Sequence, residues 1–228
     1  MIASTVKKTT LTFLLSTLSL ACGLAQAAAA ADNTDPTRKA LTTALKSFLA
    51  QRGDVCVAKY DWPIDVSARD VAAKTRDAVQ MPAMEQQGLV KSSVGYVVYK
   101  TEGQPEEQVP TTRYELTELG RSFYKMRETV SHPHTGQNLA HHADLCAGHL
   151  DLDTIVQTNV PVGADGAMHT ASVSYLYRFR SEAWVKNEQI RQVFPMLDML
   201  IKGQGVRPMT QQFHFDGHAW VANTELDQ

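Results

Sequence analysis

Net charge is almost absent from this 228-residue sequence: 22 Lys and Arg stand against 24 Asp and Glu, a formal net charge of −2. No global positive field exists to hold nucleic acid or an anionic membrane. Cysteine is scarce, with three residues, and aromatics make up only 7% of the chain. Also absent are a G-x-S-x-G elbow, an H-E-x-x-H pair and a Gly-rich phosphate loop, the short motifs that announce common hydrolytic and nucleotide chemistry. With 43% apolar and 20% charged residues, the composition excludes disorder and fibres and points to one compact domain or two small ones.

Long apolar runs are also lacking, apart from residues 11–21 (LTFLLSTLSLA), which follow Lys7 and Lys8. A positive start and an eleven-residue apolar core describe a secretory signal peptide, too short to span a bilayer as a mature helix. Ala25-Gln26-Ala27 satisfies the small-x-small rule for cleavage after Ala27, so residues 1–27 are expected to be removed and the protein to be periplasmic or secreted. Their loss takes two lysines and no acid, leaving 20 bases against 24 acids, a charge of −4. Cys22 lies where bacterial lipoproteins carry a lipidated cysteine, but Ser19 holds the place that a lipobox gives to an aliphatic residue. A released protein is therefore expected, with a lipid anchor at Cys22 as the alternative.

Cys56 and Cys146 then remain, an even pair in an oxidising compartment, which is the arithmetic of one structural disulfide.

Residues 28–131 have the character of a helical region with a β-wing. Asp35-Pro36 starts a helix with Leu41, Leu45, Phe48 and Leu49 on one face, and Gly53 stops it. Ser67 and Asp70 form a capping box for a helical region running toward Gly88, which Pro82 is expected to split. Val94, Tyr96 and Val98 alternate into a hairpin whose return strand carries Tyr114 and Leu116. Thr117 caps a helix expected to turn Leu119, Phe123, Met126 and Val130 inward.

Met84-Glu85-Gln86-Gln87-Gly88-Leu89-Val90 and Tyr114-Glu115-Leu116-Thr117-Glu118-Leu119-Gly120-Arg121 resemble the end of the recognition helix and the strand-to-helix segment of winged-helix domains. The resemblance covers residues 67–127. It implies a winged-helix shape, and in winged-helix regulators the second helix enters the DNA major groove while the wing touches phosphate. Here residues 67–87 carry Arg69, Lys74 and Arg76 against Asp70, Asp77 and Glu85, and the wing tip bears Glu102, Glu106 and Glu107. That surface repels a phosphate backbone, so no nucleic-acid partner is expected.

Residues 132–228 read as an antiparallel sheet with a packed helix, giving an α+β protein overall. In residues 145–156 the even positions Cys146, Leu150, Leu152 and Val156 are apolar, as are Val173, Tyr175, Tyr177 and Phe179 in the next run. A turn at residues 163–166 pairs Leu150 with Phe179, Leu152 with Tyr177 and Thr154 with Tyr175, and sets Asp151 opposite Arg178 and His149 opposite Arg180. Ile190, Val193, Phe194, Leu197 and Leu200 follow at helical spacing, interrupted by Pro195, and Asp216-Gly217 turns a final hairpin over residues 211–222.

Five histidines, His132, His134, His141, His142 and His149, lie within eighteen residues together with Cys146. Imidazoles suit zinc, copper and nickel, so a metal-binding protein holding Zn or Cu is one alternative function. The spacing matches no zinc motif, and a loop with surface histidines is the plainer reading. His214 and His218 flank Asp216 but sit at a tight turn that calls for polar residues anyway. Trp62, Trp184 and Trp220, with the acidic wing tip, form the candidate binding surface. The expectation is an exported cell-envelope protein that binds another protein or a small ligand, with no cofactor and no catalytic residue. An unrecognised hydrolase is the second alternative.

Overall fold

The computed structural model describes residues 36–100, 103, 105–131 and 138–223. The expected leader, Cys22, the expected cap Asp35, Glu102, His132 and His134 lie outside them.

Helix α1 (Pro36–Arg52) buries Leu41, Leu45 and Leu49, a spacing of four that keeps one stripe against the core. Strand β1 (Asp54–Cys56) follows. Strand β2 (Ile64–Ser67) leads into helix α2 (Ala68–Ala73), and the expected capping box is formed: Asp70 N–H donates to Ser67 Oγ at 3.2 Å and Ser67 N–H to Asp70 Oδ2 at 2.9 Å. The helical region does divide, but not at Pro82. Lys74, with φ 50°, ends α2, Thr75 caps helix α3 (Arg76–Gln86), and Pro82 lies inside α3. Proline costs a helix interior about 3 kcal/mol, which burial of Met81, Ala83 and Met84 on the same helix offsets.

Strands β3 (Val90–Tyr99) and β4 (Glu107–Leu116) form the hairpin, and β2 pairs with β4, giving the sheet order β2-β4-β3. One face of its base is core, with Val90, Tyr114 and Leu116 buried. On the other face Asp65 accepts from Arg113 Nε at 3.0 Å, from Arg113 Nη2 at 2.7 Å and from Thr111 Oγ1 at 2.8 Å.

The helix expected after Thr117 is only helix α4 (Glu118–Ser122), and residues beyond it form strand β5 (Tyr124–Ser131). Of the four side chains expected to face inward, Leu119, Met126 and Val130 are exposed. The apolar spacing mimics a helix, but pairing of Tyr124 through Ser131 with Leu145 back to Leu139 decides the conformation, a long-range gain that local propensity does not contain. Gly120 lets α4 approach closely, since a Cβ there would lie 2.0 Å from the Leu89 carbonyl oxygen.

Strand β6 (Leu139–Asn159) pairs with β1, with β5 and with strand β7 (Thr170–Ser181). Leu150 faces Phe179, Leu152 faces Tyr177, Asp151 faces Arg178 and His149 faces Arg180, as the sequence predicts. Beyond Leu152 the register shifts, so Thr154 faces Leu176 instead of Tyr175, and Ile155 faces Tyr175. The bulge turns the alternation over: Val156, expected inside, is exposed while Ile155 is half-buried. The charged face also differs in detail. Arg180 pairs with Asp151 and Arg178 with Asp153, one step along the strand, whereas His149 turns to Asp54 at 2.9 Å.

A 3₁₀ turn (Ala183–Lys186) precedes helices α5 (Glu188–Val193) and α6 (Pro195–Gly203), separated where Pro195 opens the second. Ile190, Leu197 and Leu200 are buried, and Tyr177 Oη donates to the Leu200 carbonyl at 3.1 Å. Strands β8 (Met209–Phe215) and β9 (Trp220–Ala222) close the large sheet in the order β1-β6-β7-β8-β9. The protein is thus α+β, with two antiparallel sheets. One buried apolar cluster runs from Leu41 and Met81 to Val173 and Phe213, so residues before and after position 131 share a core. Among the described residues no helix is long and apolar enough to cross a membrane.

Cys56 and Cys146 are joined in a disulfide that closes 90 residues of chain. A loop of that length stabilises by about 4 to 5 kcal/mol in the chain-entropy model. Replacing both cysteines with serine should lower stability by about 2 to 5 kcal/mol, read as a fall in the urea midpoint. An unchanged midpoint would show that β1 stays on β6 without the crosslink.

A second prediction concerns acid. The Arg113 guanidinium holds the Asp65 carboxyl below its usual 3.8. A carboxylate depressed in the folded state contributes stability above its unfolded pKa and loses it as pH falls through the folded value. Asp65→Asn should therefore cost about 1 kcal/mol near neutrality, with the gap between variant and parent closing as the pH falls below the usual carboxylate range. Urea titrations across that range measure it, and a pH-independent gap would assign the loss to packing.

Candidate binding cleft

The sequence breaks its helix-and-strand order at three places that come together on one side of the large sheet. The first is the start of α1, where Ala40 and Ala44, one turn apart, leave a smooth face beside Lys39 and Thr43. The second is the connection before β7, tightened by bonds from Gly163 N–H to the Ala167 carbonyl at 2.7 Å and from Ala167 N–H to Asp165 Oδ1 at 3.0 Å. The third is the β8–β9 hairpin, where Asp216 Oδ1 accepts from the N–H groups of His218 and Ala219, each at 2.8 Å. Phe215 N–H donates to the His169 carbonyl at 2.9 Å and ties the second to the third.

Between them lies a cleft of about 1020 Å³, at the upper end of the size range of small-molecule sites. Phe215 and Trp220 face each other across the hairpin, with ring centroids 5.4 Å apart and planes at 56°. They supply its aromatic wall, and Met168, Ala40, Ala44 and Ala219 add to its apolar lining. Lys39, His169 and His218 stand among the polar groups, and His169 Nε2 lies 2.6 Å from Asp165 Oδ2. That bond holds the Asp165 carboxyl below its usual value. The arrangement can take an apolar body and meet a polar end.

The predicted site residues are scattered. Trp220 lines the cleft. Trp184 is in the core against Phe123, with ring centroids 6.3 Å apart, and so belongs to no surface; its place in a short apolar turn between strand and helix explains the burial. Trp62 is half-buried beside the core. Glu106 pairs with Lys100 at 3.1 Å on the wing, where Glu107 is also exposed. His214 bonds Asn223 at 2.8 Å.

The described histidines of the cluster point to different neighbours. His142 bonds Glu128 at 2.8 Å, which raises its pKa, and neighbours along a strand face opposite ways. His149, with Asp54, stands eight residues on from His141, roughly 26 Å along an extended strand. Among the described residues no three His, Cys, Asp or Glu side chains gather to hold a metal ion.

His141 has the richest surroundings. Its ring stacks on Tyr60 with centroids 3.8 Å apart, its Nε2 lies 2.8 Å from Ser131 Oγ, and its Nδ1 lies 3.4 Å from Asp61 Oδ2. The segment that brings Tyr60 there is pinned beneath. Ala58 and Lys59 N–H donate to the Asp144 carboxylate at 3.3 and 2.8 Å, and Lys59 Nζ reaches Asp77 at 2.6 Å. Burial pushes the Lys59 ammonium down against the pull of Asp77, and burial raises the Asp144 carboxyl.

The α1 face, Met168 and Phe215 went unrecognised as site residues in the sequence. The available signal was two aromatics bracketing the Asp216-Gly217 turn, with small residues one helical turn apart near Pro36. Comparison of the chain with protein-family models, with curated proteins and with solved structures finds no match.

Proposed function

We propose that this chain is an exported binding protein of the cell envelope, without catalytic activity, whose cleft takes a small apolar or amphipathic ligand. The cleft walled by Phe215 and Trp220 carries the reading. The leader-like start, with its cleavage signal after Ala27, and the Cys56–Cys146 disulfide support export to an oxidising compartment. Lys39 on the rim favours a ligand whose polar end is anionic.

The winged-helix resemblance has support of its own. The chain runs β2, α2, α3, β3, β4 with the sheet order β2-β4-β3, which is a helix pair followed by a wing. The balanced charge of residues 67–87 and the acidic tip favour a shape kept for packing or protein contact over one that holds DNA.

A hydrolytic reading has one observation in its favour, the Ser131, His141 and Asp61 contacts. Asp61 is 88% exposed and its 3.4 Å contact is long, so it orients the imidazole weakly. Ser131 and His141 also stand diagonally on paired strands, where a hydroxyl–imidazole bond is an ordinary cross-strand contact.

Two measurements test these readings. Titration of the full chain with cis-parinaric acid should give saturable fluorescence, and Trp220→Ala or Phe215→Ala should weaken it about tenfold, or about 1.4 kcal/mol, with circular dichroism unchanged. Absence of saturable binding overturns the cleft. A fluorophosphonate probe should leave Ser131 unlabelled; labelling that disappears in Ser131→Ala and in His141→Ala would put hydrolysis in place of binding.

A further inference from the structure

Among the described residues, one outer edge of the wing has no strand beside it. Strand β3 is the outer member of β2-β4-β3, and Thr117 N–H donating to the Leu89 carbonyl at 3.0 Å fixes the phase of its ladder. Counting from Leu89, the odd residues bond across to β4, so the even residues 90 to 98 turn their N–H and C=O groups outward. Ser92 is already satisfied, its N–H donating to Glu85 Oε1 at 2.8 Å. Among the described residues none covers Val94, Tyr96 and Val98 in this way, and the three are 77%, 57% and 49% exposed.

Elsewhere the same hairpin is guarded. On β4, Pro110 faces Tyr96 and follows the end of the β2 pairing at Thr111, so the outer edge of β4 lacks a donor where β2 no longer shields it. Proteins blunt free edges with proline, charge or a covering element. At Val94, Tyr96 and Val98 the described residues supply none of these, and β-branched and aromatic residues stand there instead.

We infer that this edge pairs with the same edge of a second copy of the chain, forming a two-fold antiparallel seam centred on Tyr96. The edge is self-complementary. With Tyr96 on the axis, Val94 of each copy faces Val98 of the other, and about six backbone hydrogen bonds form over the three pairs. The apolar side chains of both copies then lie on one face as cross-strand neighbours. The next outward pair is Ser92 with Lys100, so no like charges meet across the seam, and the Glu85 cap on Ser92 limits its length. Each copy runs antiparallel to the other, which sets the Lys91 end of one hairpin beside the Glu106 and Glu107 tip of its partner. A fused six-stranded sheet results, a heritage of the two three-stranded ones. Closed two-fold pairing of this kind stops at two chains.

Sedimentation equilibrium of the full chain with its disulfide intact tests this from micromolar to near-millimolar concentration. The expected result is a dimer, at twice the chain mass. Tyr96→Pro removes an outward N–H and no bond to β4, so it should give a monomer with an unchanged far-ultraviolet spectrum. Val94→Lys, which repels its copy without altering the backbone, should do the same. A monomeric parent at every concentration overturns the proposal, as does a dimer that survives both variants. A monomeric parent that a foreign extended peptide nonetheless protects along β3 assigns the edge to another partner, and also overturns it. None of these outcomes touches the cleft, whose ligand titration is read separately.

Discussion

Strand β6 cannot form alone, and most of the protein is arranged to satisfy it. It is 21 residues long and is hydrogen-bonded to β1, β5 and β7. From Ala143 to Gly148 it is buried at every position, so both its faces are covered there and its alternation of inside and outside is lost. A strand buried on both faces must have its polar groups met internally. The Asp144 carboxylate meets the N–H groups of Ala58 and Lys59, and the disulfide binds Cys146 to β1 beside it. Gly148, with φ 156°, takes the bend, because a Cβ there would lie 2.4 Å from the Arg180 carbonyl oxygen.

The same region explains how the two sheets are held to one core. The chain leaves β1 at the disulfide, turns at Ala58 with φ 56°, and reaches β2 within ten residues. Along the way Lys59 is buried and joined to Asp77 on α3, whose carboxylate keeps access to solvent. A buried ammonium needs such a partner, since its desolvation is otherwise uncompensated. Helix α3 is then tied to α5 by Gln80 Nε2 donating to the Val193 carbonyl at 2.9 Å. Contacts far apart in sequence therefore set the relation of the wing to the large sheet, while the cleft at the opposite end of α1 uses residues that this framework leaves free.

Local chemistry made much of this legible. The Ser67 capping box, the Asp216 turn, the break before Pro195 and the Leu150–Phe179 register each depend on residues within one turn or one hairpin, and each is present. The misreadings have a common origin. Leu119, Phe123, Met126 and Val130 carry a helical period, but Met126 and Val130 lie on β5, whose conformation is chosen by β6. Val156 holds an inward phase until a bulge reverses it. Pro82 looks like a break, yet the buried Met81 and Met84 keep α3 whole. For β5 and for Val156 the deciding partner is distant in the chain.

The candidate site shows the same division. Sequence pattern alone determined the α+β class, the pairing of Cys56 with Cys146 and the positions of the β3–β4 and β8–β9 hairpins, because composition, alternation and turn chemistry act over a few residues. Only the tertiary structure decided which aromatics reach a cleft, that Trp184 is core while Phe215 and Trp220 are wall, and that His141, His142 and His149 go to separate partners. The physical reason is that a site is made where surfaces of different elements meet, and that meeting is set by strand register and core packing, which no short stretch of sequence contains.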